Sequence, residues 1–214
     1  MYHASKALSV VQARDYYQRE YSRGDYYEHD TQERKGEWYG KGADRLGLKG
    51  EVSKAHFHAL LEGRSPKGEQ LVVGEASTDK HRAGWDFTCS ADKSVSLMAL
   101  VEGDEPVRGA HRIAVDRSLA ELERYVQTKD RFRDRQTTGE MVAAKFEHES
   151  SRALDPQLHT HVLVSGRVRC PDGCMSASGV LWVATVPKRG LRAAGSPRFC
   201  TNAASTSALT STRR

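Results

Sequence analysis

Three histidines lie in two runs that are otherwise largely apolar. His159 and His161 stand in LHTHVLV, and His148 ends the run MVAAKFEH upstream. Successive side chains of a strand point to opposite faces, so His159 and His161 project from the same face, close enough to share one ion. Asp155-Pro156, between the two runs, is a turn signal. A chain that folds back there brings His148 to the pair. A His pair on a strand is more often incidental than ligating, but a third imidazole at hairpin distance tips the reading toward a metal. Three neutral imidazoles with open coordination positions make a catalytic site, not a closed structural one. Spacing alone does not name the reaction.

The next chemistry is phenolic. Tyr16, Tyr17, Tyr21, Tyr26 and Tyr27 crowd into YYQREYSRGDYY. Some of them pack as an aromatic helix face. A helix cannot bury five tyrosines on several faces, however, and Gly24-Asp25 breaks it before the second pair. Some of the hydroxyls are therefore reachable, and a tyrosine hydroxyl beside a metal-polarised phosphate can act as a covalent nucleophile. Asp86 lies inside the strand-like WDFTC, where an ionised carboxylate is costly unless paired. Its partner is structural, a ligand histidine that it orients, or a tyrosine that it serves as base. Lys80-His81-Arg82 forms a basic cluster suited to phosphate, and Lys93-Ser94 opens a helix, a position that suits an anion. Arg152 lies between the two histidine runs.

Elements must hold these groups. KALSVVQ (6–12) reads as a first strand and ARDYYQREY as a helix. Ser53 caps a helix over EVSKAHFHALLEG that stops at Gly63. Its His56 and His58 form a second H-x-H, but two positions apart on a helix point nearly opposite ways, so the pair cannot chelate. GKG within EWYGKGADRLGL lacks the strand–loop–helix frame of a phosphate loop. Residues 64–78 read as a loop, and SVSLMAL as an apolar helix after the WDFTC strand. From Val107 to Gln127, Ile113, Val115, Leu119, Leu122 and Val126 recur at helical spacing and predict a long amphipathic helix against a sheet.

The bulk properties bound the rest. A chain of 214 residues holds one sizeable core, or one domain and a tail. No apolar run is long enough to cross a membrane and no signal-peptide core is present, which predicts a cytoplasmic protein. A net charge of +5 permits a polyanionic partner. Cys89, Cys170, Cys174 and Cys200 form no regular framework, so free thiols are expected. Cys170-Pro-Asp-Gly-Cys174 looks like a turn. Beyond it the sequence becomes rich in Ala, Ser, Thr and Arg, without an acidic residue after Asp172. Such composition buries too little apolar surface to offset chain entropy, and disorder is expected.

These motifs together resemble the N-terminal relaxase domain of conjugative relaxase–helicases, the TrwC/TraI-like (MobF) family of HUH endonucleases. The likeness runs from about Leu8 to Val168. It is carried by Tyr16-Tyr17 and Tyr26-Tyr27, EWYGKGADRLGL, KHRAGWDFTCSADKSVS and HESSRALDPQLHTH. The resemblance implies an α+β fold: a central antiparallel sheet flanked by helices, with the histidines on central strands and the tyrosines on an N-terminal helix. It implies one divalent cation, Mg2+ or Mn2+, on His148, His159 and His161, polarising the scissile phosphate of a single DNA strand. Tyr16 becomes the first nucleophile, leaving a 5′-phosphotyrosyl link and a free 3′-hydroxyl. Tyr26 becomes the candidate for the second transfer, with Tyr17 and Tyr27 as their pair partners, and Asp86 supports the site. Lys80, Arg82, Lys93 and Arg152 become DNA contacts. Single-stranded DNA at a plasmid transfer origin is the implied partner, and relaxosome accessory proteins are allowed as further ones. In that family the domain continues into helices that close over the DNA, followed by a helicase. Here the expectation is an incomplete relaxase domain over 1–170 and a low-complexity tail over 171–214, as in a truncated or frameshifted copy.

Overall fold

The computed structural model describes residues 2–5, 8–15, 17, 36–71, 82–129, 135–137, 139–151, 153–166, 168–169 and 175–176. The three longest strands lie in the middle of one sheet: β4 (Arg82–Ser90), β8 (Pro156–Ser165) and β7 (Ala143–Ser150). Short strands flank them, β1 (Tyr2–Ala4) beside β4 and β3 (Glu37–Tyr39) beside β7, and β2 (Leu8–Ser9) also pairs with β4. Every pairing is antiparallel. This is the expected α+β architecture, with the histidines on central strands.

Alternation along the strands builds two cores. Ala144, Phe146 and Leu163 face one side, where they meet Ala13, Tyr17, Trp38, Phe57 and Leu61. Ala143, Val162, Val164 and Trp85 face the other, under Val115, Leu119 and Leu122. The second group belongs to the long helix α5 (Glu105–Glu123). It starts two residues earlier than its apolar spacing predicts, because the Asp104 carboxylate accepts from Val107 N and Pro106 suits the first turn. Ile113, expected on the apolar stripe, is 55% exposed.

The N-terminal run departs from expectation. Only Leu8–Ser9 is strand, and residues 10–15 are helical (α1). Ser9 Oγ accepts from Gln12 N at 3.2 Å while Ser9 N donates to Gln12 Oε1 at 3.1 Å. That reciprocal capping box starts the helix inside an apolar run that reads as strand. A β1 at Tyr2–Ala4 was not anticipated at all.

Glycines mark where backbones nearly touch. A Cβ on Gly84 would stand 2.2 Å from Val164 O, so Gly84 lets β4 and β8 run together. In the GKG segment Gly40 has φ 105, and a Cβ there would meet Met141 O. The amides around it are taken: Lys41 N donates to Glu123 Oε1, and Gly42 N to Met141 O. The motif opens the short α2 (Lys41–Arg45) as a structural joint, not a phosphate loop.

The remaining elements follow the sequence more closely. Ser53 Oγ caps α3 (Lys54–Leu61), and Gly63 at φ 74 ends it. Its His56 is exposed, in keeping with the reading that this H-x-H is no chelate. α4 (Lys93–Leu100) follows β4 as expected. Two hairpins stand apart from the main sheet: β5 (Gln127–Lys129) with β6 (Arg135–Thr137), and β9 (Val168–Arg169) with β10 (Met175–Ser176). The second straddles residue 170, where the composition suggests a boundary; the remainder of the 171–214 segment lies outside the described residues. Among the described residues no helix is long and apolar enough to cross a membrane.

Candidate metal centre

The strand register decides which side chains meet. Residues directly opposite in an antiparallel pair share a face. One row across the sheet is Ser90, His159 and His148, the next is Thr88, His161 and Phe146, and the third is Asp86, Leu163 and Ala144. All three histidines and Asp86 therefore lie on the face that carries the aromatic core. The turn between the histidine strands is where Asp155-Pro156 puts it: Ser151 N donates to Asp155 O, and Leu154 takes φ 62.

The imidazoles form a triangle, with ring centroids 5.3 Å apart for His148–His159, 5.2 Å for His148–His161 and 5.1 Å for His159–His161. An imidazole ligating at about 2.1 Å has its centroid roughly 3.2 Å from the ion, so tetrahedral neighbours stand about 5.2 Å apart. The spacing fits one cation. Among the described residues no three His, Cys, Asp or Glu donors already converge on one point. Turning an imidazole about its last side-chain torsion is a soft motion, and spacing is the stronger criterion.

Hydrogen bonds set the tautomers. His161 Nδ1 lies 2.9 Å from Asp86 Oδ2, and His159 Nδ1 lies 2.9 Å from Gln157 O. A carboxylate and a carbonyl only accept, so both Nδ1 atoms carry a proton, and in the neutral ring Nε2 is then the nitrogen that can bind a cation. Thr88 Oγ1 stands 3.4 Å from His161 Nδ1 as a further contact. Burial, reinforced by His161 and His159, pushes His148 down to about 4, so it is neutral near pH 7. Three neutral imidazoles are the form in which a cation can be held.

Asp86 is 8% exposed and fully engaged. Besides His161 it accepts from Tyr17 Oη at 3.4 Å, and its backbone N donates to Ser5 Oγ at 3.0 Å. The carboxylate anticipated from a charge inside a strand is thus paired with His161. Tyr17 requires a correction. It is 2% exposed, and its ring sits 5.1 Å from both Phe57 and Phe146. An attacking hydroxyl must reach a phosphate; this one is sealed in the core and supports Asp86 instead.

Tyr16, Tyr26, Tyr27, Lys80 and Arg152 lie outside the described residues. Arg82 opens β4, where its backbone pairs with Ser9. Lys93 is exposed at the start of α4, and its Nζ donates to Pro156 O at 3.0 Å, tying that helix to the turn before His159. Sequence reasoning missed Ser96, which is fully buried. Its Oγ donates to Asp92 O and accepts from Leu158 N, anchoring the start of β8 on α4. A serine in an apolar helix carries no signal of such a role.

The TrwC relaxase family model matches residues 10–203. The multifunctional conjugation protein TraI of Escherichia coli is 46% identical over 131 residues, which is 60% of this chain and 8% of that protein. A solved conjugative relaxase TrwC in complex with oriT DNA has a TM-score of 0.72 and 35% identity, covering 86% of this chain and 64% of that one. A metal-bound structure of the TrwC–oriT DNA complex has a TM-score of 0.70 and 37% identity, over 83% and 61%. The chain thus spans under two thirds of these solved relaxases and a small part of the TraI relative. The family match runs past Val168, into the segment that composition sets apart.

Proposed function

The chain belongs to the TrwC relaxase family, and from that premise we propose that it nicks one DNA strand at a plasmid transfer origin by tyrosine transesterification. The observation that carries the reading is the Asp86–His161 contact at 2.9 Å within a triangle of three imidazoles about 5 Å apart. Both solved relatives are metal-bound complexes with oriT DNA, which supports the same substrate and a divalent cation here.

A cation held by the Nε2 atoms of His159 and His161 together with His148 would supply Lewis-acid polarisation of the scissile phosphate. Of the two expected ions Mn2+ suits imidazole better than Mg2+, which favours oxygen ligands and keeps its waters. Asp86 and the Gln157 carbonyl hold two of the rings in the ligating tautomer, and burial keeps the third neutral. Tyr16 is the proposed first nucleophile. Its phenolic oxygen bonds to phosphorus as the P–O3′ bond breaks, its proton passes to a base, and the departing oxygen gains one. The products are a 5′-phosphotyrosine and a 3′-hydroxyl. Tyr26 is proposed for the second transfer, with Tyr27 beside it, and Tyr17 stays in its structural role. Lys80, Arg82, Lys93 and Arg152 are proposed phosphate contacts, and the cytoplasm, where plasmid DNA resides, is the proposed compartment.

The test is a denaturing gel after incubating labelled single-stranded oligonucleotides of the cognate origin with the protein and Mn2+. A covalent adduct that persists in Tyr17→Phe and vanishes in Tyr16→Phe supports the assignment. Salt-sensitive strand binding without any adduct would make the chain a binding module instead.

A further inference from the structure

The reverse face of the histidine strands is gripped by one helix. On α5, Arg108, His111 and Arg112 lie at i, i+3 and i+4 and so share a side. Arg108, buried at 7% exposure, donates through Nε to Glu147 Oε1 at 2.9 Å and through Nη2 to Glu149. Arg112 Nε donates to the other Glu147 oxygen at 2.8 Å. His111 Nε2 lies 3.1 Å from Thr160 Oγ1, and both residues are buried. On β7 the two glutamates flank His148. On β8 Thr160 stands between His159 and His161. Every contact of this set therefore falls on a strand neighbour of a ligand histidine.

The β7–β8 ladder is irregular there. His148 pairs with His159, but the next pairing is Ser150 with Pro156, so the register slips immediately after His148. Arg108 bridges that slip from behind, holding Glu147 before it and Glu149 beyond it.

We infer that Arg108, His111 and Arg112 are positioning residues for the metal centre: from the far side of the sheet they set how β7 and β8 present the three imidazoles to a cation. This rests on the proposed metal role of the histidines. An ordinary ion pair on the same helix and strand provides the comparison, Lys145 with Asp116 at 2.6 Å, three residues short of His148. It braces α5 on β7 without flanking a ligand.

The experiment is Mn2+ binding to the folded chain, read from the free-Mn2+ paramagnetic resonance signal, beside thermal melting. Arg108→Gln is expected to weaken binding by about 10- to 100-fold, the usual effect of losing an outer support of a metal ligand. Thr160→Val, which keeps a strand-forming shape and loses only the hydroxyl, is expected to weaken it by a smaller factor. Asp116→Asn is expected to lower the melting temperature and leave Mn2+ affinity unchanged. If Arg108→Gln does not fold, Thr160→Val decides. Wild-type affinity in the folded Arg108→Gln and Thr160→Val proteins overturns the inference alone. A wild-type chain that takes up no Mn2+ overturns the metal reading and this inference with it.

Discussion

His148 is held neutral by its surroundings. The unfolded chain takes up its proton near the ordinary histidine value of 6.5, whereas the folded chain withholds it until about 4. Between those values the unfolded state binds more protons, so stability falls as pH falls through the window and levels off below it. Denaturant titrations at several pH values are expected to show a shallower slope across that window for His148→Gln than for wild type. Asp86 is proposed to act through another histidine, His161. Asp86→Asn can present its amide nitrogen to His161 Nδ1 and favour the wrong tautomer, so Mn2+ affinity should fall by about 10- to 100-fold with the fold retained. Unchanged affinity in a folded Asp86→Asn protein would remove Asp86 from that role. The histidines and Asp86 could be read from the sequence because period-two alternation fixes which strand neighbours share a face. Tyr17 could not: which of two adjacent tyrosines enters the core depends on how α1 is seated on the sheet, and that is settled by Phe57 and Phe146, far away in the chain.

The elements themselves divide along the same line. β7 and β8 were legible because each combines an apolar run with a polar alternation and a turn signal between them. α5 was legible because Val115, Leu119 and Leu122 recur at helical spacing, although the exposed Ile113 shows that spacing overestimates the width of the buried stripe. β1 and the start of α1 were not legible. A three-residue edge strand has no period to detect, and Ser9 with Gln12 overrode the strand propensity of the valines between them. Ser9→Ala should therefore cost about 1 kcal/mol, a fall of about 2–4 °C in the melting midpoint. No shift on calorimetry would mean that the cap contributes nothing. Residue 17 closely follows this cap, so the same variant is expected to loosen the Tyr17–Asp86 contact.

For the whole molecule, charge sets the expectations. A net charge of +5 is consistent with a phosphate-driven contribution to strand binding. Affinity for single-stranded oligonucleotides should fall linearly with salt on logarithmic axes, and the slope reports how many phosphates are contacted. A flat dependence would place recognition in base stacking instead.

Cys89 sits on β4 behind the face that carries the three histidines, 4% exposed, with its thiol pushed up to about 12 by burial. Such a thiol is almost wholly protonated at neutral pH and shielded from reagents, so alkylation waits for the sheet to open. The rate at which this one position is labelled, followed by peptide mass spectrometry, is therefore a clock for the opening of the sheet under the histidines. A cation that bridges β7 and β8 should slow that clock without touching the sulfur.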